Sequence, residues 1–233
     1  MRFALHPPFT FDIFLVFPDL SGFDIKPSMI RKNHCYNVVI FDLGNVVLNW
    51  NPDQVLESLN LEKKETELLK DELFLHQDWQ DMDHGKLSES IVVDRVCERS
   101  KLDRAIVDKA FSASKSSLYP IEESVALMRE IADQGIKLYC LSNMSRETYA
   151  HIKHYELFTL FSEIVISGIE GCRKPDEAIF HLVLDRFGLN PAEAFFIDDT
   201  LHNVETARKL GIHAYHFKRS KTCYADIRKF VFG

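Results

Sequence analysis

The chain lacks the signatures of several protein classes. Its five cysteines are an odd, dispersed set without a CxxC pair, which argues against a disulfide framework or a zinc site and favours reduced thiols. No stretch approaches the roughly 20 apolar residues that span a bilayer. Positive charge is not in excess either, since the net charge of -7 argues against a nucleic-acid-binding surface. We therefore expect a cytoplasmic protein with neither a membrane nor a nucleic-acid partner.

The chain is long and apolar enough to bury a substantial core. Its 233 residues are 46% hydrophobic, which suits one large domain or one domain with a smaller insert. The N-terminal stretch is rich in Phe, but Asp12, Pro18 and Asp19 interrupt it and no small-residue cleavage site follows. We interpret residues 1–34 as an N-terminal extension whose order the sequence does not determine, and we assign it no function.

Short apolar runs predict the strands of a buried sheet. Residues 38–41 form a continuous apolar run, as expected for a strand that is covered on both faces. Comparable runs occupy residues 136–141, 163–166, 194–197 and 212–215. Helical spacing of apolar residues lies between these runs, for example between Pro120 and Gly135 and over residues 176–187. This alternation predicts an α/β fold with a doubly wound, Rossmann-like parallel sheet.

One interval is too long for an ordinary crossover. A complete βαβ unit needs about 30 residues, and the first two predicted strands lie much farther apart than that. Residues 51–117 show helix spacing without strand alternation, and Ser88 and Asp103 are candidate N-caps. We predict a small helical-bundle cap at residues 51–117, inserted after the first strand of a core formed by residues 35–50 and 118–233.

Polar residues stand at the carboxyl ends of the predicted strands, where doubly wound sheets bind ligands. They are Asp42 after the first strand, Ser142 and Asn143 after the second, Lys174 in the loop after the third, and Asp198 with Asp199 after the fourth. Each residue alone is also compatible with a turn, a helix cap or a solvated loop. Adjacent carboxylates at the end of an apolar strand repel each other unless a cation is near. Together these residues predict one polar site.

This ordered set resembles the haloacid dehalogenase-like hydrolase superfamily. The four matching motifs are VVIFDLGNVV with Asp42, LYCLSN with Ser142, RKPDEAIF with Lys174, and FFIDDTLHNVETARKLG with Asp198 and Asp199. The resemblance runs from about residue 36 to the C-terminus and includes the helical cap. Within the superfamily, the chain is similar to a DLGNV subgroup that includes sugar-phosphate phosphatases such as bacterial α-D-glucose-1-phosphate phosphatase. It is also similar to the phosphatase domain of soluble epoxide hydrolases.

The resemblance implies a magnesium-dependent phosphatase that forms an aspartyl-phosphate on Asp42. The implied substrate is a small phosphate monoester, such as a hexose 1-phosphate. The implied ligands of Mg²⁺ are Asp42, the backbone carbonyl of Gly44 and Asp198, with Asp199 orienting a metal-bound ligand. A cation suits this chemistry because a phosphate dianion repels an anionic nucleophile.

The resemblance also implies roles for three residues around the phosphate. Lys174 would neutralise negative charge, and Ser142 and the backbone amide of Asn143 would donate hydrogen bonds to the phosphate oxygens. Catalytic roles are therefore implied for Lys174 and Ser142 beside Asp42.

The sequence departs from the common pattern at Gly44. Most phosphatases of the superfamily carry a second Asp there, two residues after the nucleophile, as general acid and base. Glycine cannot transfer a proton, and loss of a positioned acid typically costs roughly 10²- to 10⁴-fold in rate. A good leaving group, such as the anomeric oxygen of a sugar 1-phosphate, would need less protonation. The sequence does not identify a replacement acid.

Gly44 leaves other functions open. One alternative is a metal-independent haloacid dehalogenase-type hydrolase, which uses the same nucleophile without the second Asp, and another is an inactive binding protein of this fold. The pair Asp198 and Asp199 favours the phosphatase, because adjacent carboxylates suit a divalent cation and not a halide. Receiver domains also use an acidic pair, an Asp, a Ser or Thr and a Lys, but there the pair comes first along the chain.

The stretch HQDWQDMDHGKLS is the candidate substrate-facing turn of the cap. Trp79, Asp83 and His84 are able to stack on a sugar or hydrogen-bond to it, and Gly85 permits a tight turn between helices. Alternatively, Trp79 packs in the core of the cap and the polar residues are solvated. The sequence predicts neither the particular ester nor the oligomeric state.

Overall fold

The computed structural model describes residues 36–233, and the predicted N-terminal extension lies outside these residues. Five parallel strands form one sheet in the order β3-β2-β1-β4-β5. The strands are β1 (Val38–Phe41), β2 (Lys137–Ser142), β3 (Glu163–Ile166), β4 (Ala194–Asp198) and β5 (His213–His216). All four residues of β1 are buried, in agreement with the apolar run that predicted it. The prediction of a doubly wound α/β fold is confirmed.

Residues 51–117, hereafter the helical insert, are helical between short connections. They contain α1 (Pro52–Ser58), α2 (Lys63–Leu69), α3 (Gln77–Asp83), α4 (Glu89–Ser100) and α5 (Arg104–Ser116), with a π-helical turn at Lys70–Phe74. The hydroxyl of Ser88 accepts from the backbone amide of Ile91, and the carboxylate of Asp103 accepts from that of Ala105, so both residues are N-caps. The apolar stripes of these helices pack into a cluster of their own that includes Leu73, Met82, Val92, Val107 and Phe111.

Six further helices surround the sheet. They are α6 (Glu122–Asp133), α7 (Arg146–Ile152), α8 (Ser167–Glu170), α9 (Glu177–Phe187), α10 (Leu201–Lys209) and α11 (Lys221–Phe232), with 3₁₀ turns at Glu156–Leu160 and Pro191–Glu193. None of the helices over residues 36–233 has the length and apolarity that crossing a bilayer requires.

The two faces of the sheet contribute to separate hydrophobic clusters, because neighbouring side chains of a strand point to opposite faces. Val39 and Phe41 pack on one face with residues of α6 and α11. Val38 and Ile40 pack on the other face with residues of α9 and α10. This double cover buries the strands and leaves their carboxyl ends as the accessible polar edge.

The helical insert leaves the core and returns to it through two adjacent segments. The amide of Asn49 donates to the carbonyl of Tyr119 at 2.9 Å, and the amide of Ile121 donates to the carbonyl of Val47 at 2.8 Å. A single antiparallel bridge pairs Leu48 with Pro120 between them. These bonds fix both ends of the insert next to the end of β1.

Candidate active site

Asp42 begins the tight turn that follows β1. Its amide donates to the carbonyl of Ile197 at 2.9 Å, which continues the pairing of β1 with β4. The carbonyl of Leu43 then accepts from the amides of Val47 and Leu48, at 2.9 and 2.8 Å. Asn45 takes a left-handed conformation with φ of 54°, which Asn tolerates better than most residues. The turn presents the Asp42 carboxylate at the carboxyl end of the sheet.

Lys174 joins two of the predicted site carboxylates. Its side chain is buried, and its Nζ lies 2.8 Å from Asp42 Oδ1 and 2.7 Å from Asp198 Oδ2. The same ammonium donates to the carbonyl of Leu141 at 2.7 Å. The side chain of Asn143 holds this loop, since it donates to the Lys174 carbonyl at 2.8 Å and accepts from the Lys174 amide at 2.9 Å. Asn143 thus orients Lys174, a contact that the sequence analysis did not foresee.

Asp198 and Asp199 end β4 and are held by different partners. Asp198 is fully buried and accepts from the Thr200 amide at 2.7 Å and from Asn203 Nδ2 at 3.1 Å. Asp199 accepts from Asn45 Nδ2 at 3.2 Å. Asn203 and Asn45 lie inside the IDDTLHN and DLGNV motifs, so the motifs contained a signal for them, but sequence analysis assigned them no role.

The site has more negative than positive charge. Carboxylate oxygens of Asp42, Asp198 and Asp199 all lie within 4.8 Å of one another, and Lys174 is the cation in contact with Asp42 and Asp198. Three carboxylates beside one ammonium leave a net negative charge. A cluster of carboxylate oxygens with this excess fits a hard divalent cation such as Mg²⁺.

The charge excess and burial shift the pKa values of the site. Burial raises the pKa of Asp42 to about 7; Lys174 opposes this rise, whereas Asp198 and Asp199 add to it. Burial also raises the pKa of Asp199. Burial alone would lower the pKa of Lys174, but its contacts with Asp198 and Asp42 outweigh burial and raise it. Lys174 therefore stays charged, and the carboxylates are short of cationic partners.

A cavity of about 80 Å³ lies beside this cluster. Its residues come from the sheet end, from the insert and from the connections between them: Gly44, Trp50, Trp79, Asp83, Leu118, Ser142, Asn143, Met144 and Thr148. Ser142 is buried at the last position of β2, and Asn143 follows it. The predicted residues Gly44, Ser142 and Asn143 thus share one cavity.

The candidate substrate-facing residues of the insert separate into two groups. Trp79 lines the cavity, but it also stacks on Trp50 and Phe111, with ring centroids 5.5 and 5.8 Å away. Asp83 lines the cavity as well. His84 contacts the core instead, with Nε2 3.0 Å from the carbonyl oxygen of Gly171. Trp79 therefore packs in the insert and faces the cavity at the same time.

Comparison with known proteins gives the class of this chain. Residues 36–211 match the family model of haloacid dehalogenase-like hydrolases. The match covers well over half of the chain, and the chain belongs to the haloacid dehalogenase-like hydrolase family. The prediction of this family and of a hydrolase is confirmed; membership of the DLGNV subgroup stays a prediction.

Individual relatives cover most of the chain. The sesquiterpene phosphatase astK of Aspergillus oryzae is 27% identical over 84% of this chain and 97% of its own length. The drimenol cyclase drtB of Aspergillus calidoustus is 28% identical over 84% of this chain but only 36% of its own length.

Solved structures show the same fold at low identity. A HAD family enzyme of Bacteroides thetaiotaomicron in complex with magnesium and inorganic phosphate has a TM-score of 0.67 at 22% identity, covering 80% of this chain and 96% of its own. An L-2-haloacid dehalogenase of Xanthobacter autotrophicus has a TM-score of 0.59 at 17% identity, covering 83% and 82%. The fold alone therefore does not separate a phosphatase from a dehalogenase.

Proposed function

We propose that the protein is a magnesium-dependent phosphatase that hydrolyses a small phosphate monoester through an aspartyl-phosphate on Asp42. The observation that carries this proposal is the charge of the site, where oxygens of Asp42, Asp198 and Asp199 lie within 4.8 Å of one another. Lys174 balances only part of this charge. A dehalogenase that expels a halide has no use for an acidic pair, whereas a metal-dependent phosphatase requires one.

In this proposal Asp42, the backbone carbonyl of Gly44 and Asp198 would hold Mg²⁺, and Asp199 would orient one of its ligands. Bound magnesium would supply positive charge that offsets the phosphate dianion. The oxygen-only donor set and its excess negative charge fit this ion. Asn45 and Asn203, which donate to Asp199 and Asp198, would keep the two carboxylates in place.

The remaining site residues act on the phosphoryl group. Asp42 attacks phosphorus, the bond to the ester oxygen breaks, and water then hydrolyses the aspartyl-phosphate. Lys174 is placed to neutralise charge beside the attacking carboxylate, to which its Nζ is 2.8 Å away. Ser142 ends β2 and Asn143 follows it. The hydroxyl of Ser142 and the backbone amide of Asn143 would donate hydrogen bonds to the phosphoryl oxygens.

The helical insert is the proposed cap, and it favours certain leaving groups. Trp50, Trp79, Leu118 and Met144 give the cavity an apolar and aromatic wall. Such a wall suits the flat face of a sugar, and it suits a hydrocarbon equally well. One relative of this chain is named a sesquiterpene phosphatase. We therefore add isoprenoid phosphates to the hexose 1-phosphates as candidate substrates.

The test is phosphate release from purified protein with magnesium or with EDTA. The panel contains p-nitrophenyl phosphate, hexose 1- and 6-phosphates and an isoprenoid monophosphate. We expect magnesium-dependent release that Asp42→Asn abolishes and that Asp94→Asn, at an exposed ion pair of α4, leaves unchanged. Halide release from a 2-haloacid without metal would establish the dehalogenase alternative instead. No release from any ester by folded protein would contradict the proposal.

A further inference from the structure

The proposed phosphatase lacks an acid at Gly44, but the helical insert places another carboxylate in the same cavity. Asp83 is the last residue of α3 and lines the cavity together with Gly44 and Ser142. We propose that Asp83 is the general acid and base of this enzyme, supplied by the insert in place of the acid missing from the core. This inference rests on the proposed phosphatase function and adds the proton donor that the function requires.

The end of α3 is held against the core by contacts on both sides of Asp83. The hydroxyl of Ser167 donates to the backbone carbonyl of Asp83, and His84 Nε2 lies 3.0 Å from the Gly171 carbonyl oxygen. One turn earlier, Arg173 Nη1 donates to Gln80 Oε1 at 2.9 Å. These bonds tie α3 to the segments that follow β3. They fix the position of Asp83 in the cavity wall, where the backbone of Ser145 hydrogen-bonds to its carboxylate.

The surroundings of Asp83 suit a group that both gives and accepts a proton. Burial raises the pKa of Asp83 to about 7, although the charge of Arg173 and a hydrogen bond from the Ser145 backbone oppose the rise. Among the described residues, Arg173 Nε is a buried nitrogen without a hydrogen-bond partner. The arginine is thus available to stabilise the carboxylate that remains after Asp83 has given up its proton. A pKa near the working pH favours general acid and base catalysis by one group.

Several other charged groups on and near the elements around α3 have partners of their own. Arg95 pairs with Asp78, Lys86 with Asp81, Lys115 with Glu89 and Arg186 with Glu170, while Arg146 donates to the Gly168 carbonyl. Arg173 is therefore the cation that acts most directly on Asp83.

Proton transfer balances in both half-reactions. In the first, Asp42 forms a bond to phosphorus, the bond from phosphorus to the ester oxygen breaks, and protonated Asp83 gives its proton to that oxygen. The alcohol leaves neutral and Asp83 becomes a carboxylate. In the second, the Asp83 carboxylate takes a proton from the attacking water, whose oxygen bonds to phosphorus as the bond to Asp42 breaks. Phosphate leaves, and both aspartates return to their starting states.

The test compares two esters of similar size with different leaving groups. The leaving oxygen of benzyl phosphate must be protonated, because otherwise it departs as an unstable alkoxide. The leaving group of p-nitrophenyl phosphate is a stable phenolate that needs no proton. In Asp83→Asn we expect alcohol release from benzyl phosphate to fall roughly 10²- to 10⁴-fold. The first turnover of p-nitrophenyl phosphate should change by less than about tenfold and appear as a burst, because hydrolysis of the aspartyl-phosphate now lacks its base. The matched control is Asp81→Asn, since Asp81 lies on α3 outside the cavity and pairs with Lys86.

Two further measurements separate catalysis from structural damage. A Cβ added at Gly44 meets no atom within 4 Å, so the backbone there leaves room for a side chain to begin. Gly44→Asp in the Asp83→Asn background should restore benzyl phosphate cleavage at least about tenfold. The wild-type kcat/KM for benzyl phosphate should fall as pH rises above the pKa of Asp83, and Asp83→Asn should lack this fall.

Specific results would overturn the assignment of Asp83. Equal losses in the first turnover of both esters in Asp83→Asn would make it a residue that only maintains structure, and unchanged first-turnover cleavage of benzyl phosphate would remove it from catalysis. Either result leaves the phosphatase proposal intact, provided that the wild type cleaves both esters and Asp42→Asn cleaves neither. Wild-type protein that cleaves no ester would instead reject the phosphatase proposal.

Discussion

The helical insert and the sheet both bury carboxylates, but they balance the charge in different ways. In the insert, buried Asp78 contacts two arginines, with Arg95 Nη1 at 2.9 Å and Arg99 Nη1 at 2.7 Å from its oxygens. In the sheet, Asp42 and Asp198 share the single ammonium of Lys174. Arg99 also contacts Glu72, with Nε 2.9 Å from Oε2, so the insert network has as many arginines as carboxylates, whereas the sheet network has fewer cations than carboxylates.

The difference appears in the pKa values of the two networks. Burial alone would raise the pKa of Asp78, but the hydrogen bonds from Arg99 and Arg95 lower it below its usual range. Burial raises the pKa of Asp42 to about 7, because Lys174 alone does not offset burial and the neighbouring Asp198 and Asp199. In a network that serves stability, the cations of the protein balance the carboxylates. In a network that is short of cations, a bound metal ion can supply the missing positive charge. The following predictions test this contrast.

The largest effect is expected from Asp42→Asn. Because the substitution removes the nucleophile, ester hydrolysis should fall by at least about 10⁴-fold. The same substitution relieves part of the repulsion among the site carboxylates, so the Tm of the metal-free protein should stay equal or rise. Steady-state phosphate release and thermal unfolding measure the two effects. A large loss of stability would show that Asp42 has the structural role of Asp78.

Asp78→Asn should have the opposite result, with a large loss of stability. Removing one partner of a buried ion pair costs about 3–5 kcal/mol. Arg95 and Arg99 are partly exposed to solvent, so we expect about 2–4 kcal/mol in the free energy of unfolding. Urea denaturation measures this value. The matched control is Asp94→Asn, because Asp94 pairs with Arg104 on the surface of the same insert and should cost less than about 1 kcal/mol.

Magnesium should stabilise the sheet network and leave the insert network unaffected. A ligand that binds only the folded state at a hundred times its Kd adds about 2.7 kcal/mol to the free energy of unfolding. We expect Tm to rise with magnesium concentration in the wild type and in Asp78→Asn, and to be insensitive to it in Asp198→Asn. Differential scanning fluorimetry checks this prediction without substrate. An equal rise in Asp198→Asn would place the ion elsewhere.

The smallest effect concerns pH. The folded-state pKa of Asp42 lies above its unfolded value of about 4, so its contribution to stability is present below that value and is lost as pH rises through about 7. We expect metal-free protein to lose about 1–2 kcal/mol of stability between pH 5 and 8. Asp42→Asn should reduce this loss.

Asp78 should change stability with pH in the opposite direction to Asp42. Its folded-state pKa is lowered, so its contribution is present above the unfolded value of about 4 and is lost as pH falls through the folded value. Denaturation across the acidic range should therefore be less steep in Asp78→Asn. If the free energy of unfolding of the wild type changed neither between pH 5 and 8 nor in the acidic range, both predictions would be contradicted.

The sequence predicted the sheet well because each central strand is a short, continuous apolar run. Residues 38–41 coincide with β1, and the second run differs from β2 by one residue at each end. Residues 51–117 were correctly expected to be helical, but the π-helical turn at Lys70–Phe74 was not predicted. Apolar spacing gives the helical period but does not reveal a local change of hydrogen-bond register.

The candidate site was predicted less completely than the fold. Strand ends identified the carboxylates and Lys174, because all parallel strands end at one edge of the sheet. The partners Asn45, Asn203 and Asn143 were missed as orienting residues. Their hydrogen bonds depend on loop geometry, and the bond of Asn45 to Asp199 joins segments 154 positions apart. Strand periodicity contains no information on such pairs.

One contact between the helical insert and the core is made where neither side has room for a side chain. A Cβ at Gly85 would lie 2.6 Å from the Gly168 carbonyl oxygen, and a Cβ at Gly168 would lie 2.7 Å from the Met144 carbonyl oxygen. Three stretches of main chain are therefore stacked directly on one another, from the tip of the insert to the loop after β2. Because main chain varies less in shape than side chains do, this stack acts as a spacer of fixed thickness. Substitutions elsewhere in the cavity wall can then change which ester is accepted without changing how far the insert stands above the reacting phosphorus.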